Sequence, residues 1–129
     1  MKIQKSTDYA IRVLRHLHRS AHTDAVVTAT SIAEAIGISY PFFIKLANQL
    51  KQNGLILSVQ GRQGGYKLAR CGHNISVYDV FIAIEGGLCL HRGGGEMGCS
   101  HIQTYFSELE GQIIAMMTRK KIADFNEAA

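Results

Sequence analysis

The sequence predicts a mainly α-helical protein with one small β-hairpin, organised as a winged helix-turn-helix followed by a long C-terminal dimerisation helix. Three observations carry that prediction. Two short amphipathic segments are separated by only about three residues around Gly37. A pair of short β-type runs follows at once, LILSV at 55–59 and YKL at 66–68, joined by the glycine-rich QGRQGG. Further on, the apolar residues Ile102, Phe106, Leu109, Ile113 and Met116 are spaced by four, three, four and three.

The first helix is set by Ala10, Val13, Leu14 and Leu17, which recur at helical spacing. Lys5, Asp8, Arg12, Arg15 and Arg19 fall on its other face, which is therefore mostly basic. After a polar break at 22–24, Thr28 is placed to cap a second helix whose stripe is Ala29, Ile32, Ala33 and Ile36, stopped at Gly37. Ser39 caps a third, Pro41 suits its first turn, and Phe43, Leu46, Ala47 and Leu50 form its buried face before Asn53 and Gly54 end it. Two helices joined so tightly form the pattern in which the second enters the DNA major groove with its N-terminal residues toward the bases.

The hairpin with Arg62 between glycines reads as a wing, because glycine permits close approach and a narrow minor groove attracts arginine. Ser76 to Asp79 fits a capping box for a fourth helix with Val77, Val80, Phe81 and Ile84 inside, ending at Gly86 and Gly87. The four-three alternation of the last segment is that of a coiled-coil seam, which implies a homodimer. Cys71, just after the wing, reads as a small buried residue.

A chain of 129 residues, 47% of them hydrophobic, is one domain's length and able to build a core without disulfides. Its +4 charge is uneven. Residues 1–70 hold ten Lys or Arg and three Asp or Glu, a balance of +7; residues 71–129 hold four and seven, a balance of −3. A basic half suits a polyanion. Three cysteines, no apolar leader and no apolar run near the ~18 residues of a membrane span lead to the expectation of a reducing cytoplasm, with no membrane partner.

The stretch CLHRGGGEMGCSH at 89–101 gathers two of the three cysteines and two of the six histidines. His91 and His101 each stand two positions beyond a cysteine, so Cys89, His91, Cys99 and His101 make up a four-member donor set of the kind that zinc takes. The division expected is a DNA-binding domain over 1–85, a sensory loop over 86–101, and a dimerisation helix and tail over 102–129.

The opening KSTDYAIRVL, the AEAIGIS turn, the wing NGLILSVQGRQGGYKLAR and the closing KKIADF together resemble the Rrf2 family of bacterial winged-helix transcription factors, from residue 1 to about 125. The resemblance implies a homodimer that binds double-stranded operator DNA. In cluster-binding members, three loop cysteines about five residues apart hold an iron-sulfur cluster, with a fourth ligand from a nearby histidine or an acidic residue of the first helix. Here Cys89 and Cys99 match the outer two, glycines 93–95 occupy the middle position, and Asp8 matches the acidic residue. The metal ligands the resemblance implies are therefore Cys89 and Cys99, with His91, His101 and Asp8 as the candidates to complete the set. Asp8 also stands four residues before Arg12, the spacing of a surface ion pair.

The function expected is a transcriptional repressor that senses redox state, iron or nitric oxide through an iron-sulfur cluster. Ser39, Tyr40, Pro41 and Lys45 are the candidates for base readout, and Arg62, Gln63 and Lys67 for the groove and phosphates. Zinc, or no metal at all, is the alternative cofactor reading; the alternative function is a metal-free regulator controlled by a partner protein or by thiol oxidation. No nucleophile elbow, phosphate loop or paired acid-base set appears, so an enzyme is not expected.

Overall fold

A computed structural model describes residues 2–21, 26–90 and 100–125. The element order is α1 (Lys5–Ser20), α2 (Ala29–Ile36), α3 (Tyr40–Gln52), β1 (Ile56–Val59), β2 (Gly65–Leu68), α4 (Val77–Glu85) and α5 (Ser100–Arg119), with short 3-10 turns at Gly72–Asn74 and Ile122–Asp124. No helix among the described residues is long and apolar enough to cross a membrane.

The expected caps are formed. Thr28 Oγ1 accepts from Ser31 N at 3.2 Å, and Ser39 Oγ accepts from Phe42 N at 3.2 Å. Gly37 takes a left-handed φ of 83°, which lets the chain leave α2 and enter α3 after three residues. At α4 the capping box closes in both directions, Asp79 N to Ser76 Oγ at 3.0 Å and Ser76 N to Asp79 Oδ2 at 2.9 Å. These bonds satisfy amide groups that a helix start leaves orphaned.

The core is one cluster built from the stripes of α1, α2 and α3, with Ala10, Val13, Leu14, Leu17, Ile32, Phe43, Leu46 and Leu50 all buried. Leu55, Ile56, Ile75 and Val80 extend it under the hairpin and α4. It also takes in Ile122, fully buried, from beyond α5. The backbone there is tied down by Val77 N to Lys120 O and Ile122 N to Ile75 O, each 2.8 Å.

β1 and β2 are antiparallel, paired from Ile56 with Leu68 to Val59 with Gly65. Val27 adds a single-residue third strand, exchanging bonds of 3.0 and 2.8 Å with Tyr66. Gly65 is required by that contact, because a Cβ there would collide with the Val27 carbonyl.

One expectation is overturned. Cys71 is exposed rather than buried. It lies between β2 and the 3-10 turn, outside any helical or strand period, and the inward position is taken by Gly72, buried against the ring of His18. A thiol's preference for the interior has no effect where the turn points it outward.

Candidate nucleic-acid interface

The N-terminal turns of α2 and α3 and the hairpin border one cleft, lined by Ala29, Thr30, Tyr40, Ser58, Gln60 and Tyr66 together with the wing glycines. Glycine at 64 keeps the turn tight, since a Cβ there would strike the Val59 carbonyl. Tyr66 forms the floor, its ring edge-on to Phe43 at 5.3 Å between centroids. Burial holds its phenol above the usual pKa, with a smaller contribution from Tyr40.

All seven residues expected to face nucleic acid are exposed: Ser39, Tyr40, Pro41 and Lys45 on or before α3, and Arg62, Gln63 and Lys67 on the hairpin. Their neighbours Phe43, Leu46 and Ala47 are fully buried, so the exposed face and the core face of α3 are separated as the 3.6 period requires. Ser39 has a second task, because its oxygen caps α3. Its hydroxyl proton stays available for donation. Thr30, Ser58 and Gln60, which line the same cleft, were not singled out by sequence, since nothing local marks a residue whose neighbours come from three elements.

The residues expected to bind a metal are only partly within the described structure. Cys89 is exposed two residues beyond Gly87, and His101 is exposed on the first turn of α5. His91 and Cys99 lie outside the described residues. Asp8 pairs with Arg12, Nε to Oδ1 at 2.8 Å, and the hydrogen bond to Asp8 holds the Arg12 guanidinium above its ordinary pKa. Both side chains are more than half exposed, so the pair is worth little and leaves Asp8 accessible. Among the described residues no three His, Cys, Asp or Glu side chains are gathered as a metal site.

Asp8 lines one open pocket with Val77, the first residue of α4, and Met117 of α5. Glu85, the last residue of α4, accepts from the buried Thr7 hydroxyl and from Gln4 N at 3.3 Å. The loop therefore departs from an anchored point beside the first turn of α1.

α5 leaves apolar surface open. Ile102, Tyr105 and Met116 are 56, 60 and 64% exposed, while Phe106, Leu109 and Ile113 are half-buried. A helix that packed wholly within its own chain would hide this stripe.

Comparison with known proteins agrees with this architecture. Residues 3–127 match the family model described as Rrf2, iron-dependent transcriptional regulator. The protein Rv1287 of Mycobacterium tuberculosis, named as a helix-turn-helix transcriptional regulator, is 36% identical over 74% of this chain and 58% of its own. The regulator IscR of Klebsiella pneumoniae is 31% identical over 77% of this chain and 60% of its own. The chain thus spans about three fifths of the length of these relatives. Among solved structures, IscR of T. potens matches with a TM-score of 0.75 and 27% identity over 96% of this chain and 85% of that one. CymR of B. subtilis, titled the global cysteine regulator, matches with a TM-score of 0.82 over 96% and 95%, and at 19% identity it attests the fold alone. The chain belongs to the Rrf2 family of transcriptional regulators.

Proposed function

We propose that this chain is a homodimeric DNA-binding repressor whose α3 and wing read an operator and whose 86–101 loop senses redox state, iron or nitric oxide. The observation that carries the DNA-binding part is the shared cleft between α3 and the wing, lined by Tyr40 and the wing glycines, with Arg62 and Gln63 exposed in the adjoining turn and Lys67 exposed on β2. Ser39, Tyr40, Pro41 and Lys45 are assigned to base edges; Arg62, Gln63 and Lys67 are assigned to the groove and phosphates. The exposed stripe of α5 is assigned to the second subunit. A two-fold dimer would present two α3 helices to half-sites about one helical turn apart.

For the loop, Cys89 and Cys99 supply the thiolates, and His91, His101 or Asp8 complete the set. Two thiolates and two imidazoles are a donor set that iron-sulfur chemistry accepts, and non-thiolate ligands leave an iron more open to reactive gases. When bound, such a cluster would supply redox or gas reactivity. The protein's part is to hold the loop between the Glu85 anchor and α5, so that a change in the loop biases the angle between subunits.

The glycines at 93–95, where cluster-binding relatives have a thiol, favour a second reading in which the loop carries no metal and answers to a partner protein or to thiol oxidation. Iron and sulfide content after anaerobic purification decides between them. Cluster sensing requires both elements and a visible spectrum that Cys89→Ala and Cys99→Ala abolish; protein without iron, sulfide or visible absorbance removes the cluster and leaves the metal-free regulator.

A further inference from the structure

The first turn of α1 is held from the far end of another helix. Its N-cap residue, Gln4, makes no cap with its own side chain. Glu85 serves there instead, one carboxylate oxygen accepting both from Gln4 N at 3.3 Å and from the Thr7 hydroxyl. The Gln4 carbonyl in turn accepts from Thr7 N at 3.1 Å and from Asp8 N at 3.4 Å. In a capping box the carboxylate on the N-cap amide comes from the same helix; here it stands 81 residues further along the chain.

Glu85 is poorly placed for its own helix and well placed for α1. It is the last residue of α4, where the free carbonyls disfavour a negative charge, and it lies at the start of α1, where the free amides favour one. Thr7 is 1% exposed, and Glu85 is the acceptor that satisfies its hydroxyl. A buried donor left unpaired is costly, so the two bonds to Glu85 form and break together. After Glu85 the chain turns through Gly86 and Gly87, at φ of 83° and 114°, and is pinned again by the buried Leu88, one residue before the exposed Cys89. Gln4 and Thr7 also border an open pocket of about 380 Å³ shared with Val77 and Met117, which gives the first turn of α1 room to shift.

We propose that the Glu85 carboxylate is a latch that couples the segment leaving α4 to the start of α1. With the latch closed, Gln4 and the first turn of α1 are fixed. Displacement of Leu88 and Cys89 draws Glu85 away, Gln4 loses its acceptor and the first turn opens, while Ala10, Val13 and Leu14 keep the rest of the helix in the core. A local opening of this kind needs far less free energy than unfolding of the chain. The inference rests on the reading of 86–101 as a sensory loop, and it gives that loop a second route into the helical core beside α5.

The test uses the full chain with Cys71→Ser and Cys99→Ser, which leaves Cys89 as its one thiol, and reads amide hydrogen exchange by NMR before and after alkylation with N-ethylmaleimide. Labelling should speed exchange at Thr7 and Asp8 by about 10-fold or more, the scale on which loss of a hydrogen bond to a charged group acts, while the α3 amides keep their rates. Glu85→Ala should show the fast rates without the label, and the label should then add nothing. Glu85→Gln keeps an acceptor oxygen and should answer the label as the parent does. Rates at Thr7 and Asp8 that the label leaves unchanged overturn the latch, as does a Glu85→Ala chain that still answers it, or a rise shared equally by α3. Neither metal nor DNA enters the measurement, so failure of the latch and failure of cluster sensing are told apart.

Discussion

Tyr40 and Phe43 lie three residues apart on α3 and face opposite environments. Phe43 is fully buried against Tyr66, whereas Tyr40 is 54% exposed at the mouth of the cleft. Phe43→Ala should cost about 3–5 kcal/mol, read as a lower urea midpoint, because it leaves a cavity in the centre of the core. Tyr40→Ala should stay within about 0.5 kcal/mol of the parent while weakening DNA binding in a fluorescence anisotropy titration. This division was legible, since the apolar period of α3 fixes which side faces inward. His16 and Cys71 were not: the first is half-buried on α1, the second exposed, and neither belongs to a stripe. Burial, followed by the charge of Arg19, lowers the His16 pKa below its ordinary 6.5. The unfolded chain then binds the proton more tightly, so the unfavourable effect is absent above pH 6.5 and grows as the pH falls through that value toward the folded pKa. Urea midpoints at pH 7.5 and 5.5 should therefore converge in His16→Gln relative to the parent; an unchanged difference would sink this account.

Helix ends and the hairpin were legible for a local reason, because Thr28, Ser39 and Ser76 bond to amides only three residues away. Such signals fit inside a short window of sequence. The third strand did not, since Val27 meets Tyr66 across 39 positions and only the folded core decides that they are neighbours. The consequence is that β2 is paired on both edges, by β1 and by Val27, which ties the base of the wing to the segment before α2. If Arg62 and Lys67 each neutralise one phosphate, the double Ala variant should reduce the slope of log affinity against log salt by about 2 per wing. The result to watch for is a slope that does not change, which would place both residues away from the backbone.

The chain passes out of the helical core into α5 and then returns to it. Ile122 is fully buried in the core, its segment packs on α1, and the backbone is held by Val77 at Lys120 and by Ile75 at Ile122 itself. Sequence order alone made this segment a tail, and nothing local distinguishes a tail that docks from one that does not. α5, about 30 Å long at 1.5 Å per residue, is thereby fixed to the core at its C-terminal end while its apolar face stays open. These two ends of one segment should respond differently to substitution. Ile122→Ala should destabilise the whole chain by about 2–5 kcal/mol, since it empties a core position. Ile102→Asp with Met116→Asp should leave far-UV circular dichroism intact, because both side chains are more than half exposed in the single chain. Light scattering should then report a monomer, and affinity for a palindromic duplex should fall by roughly 10²-fold or more as the two-site advantage is lost. A folded variant that remains dimeric would remove α5 from the subunit contact, and with it the route by which a change in the loop reaches the spacing of the two α3 helices.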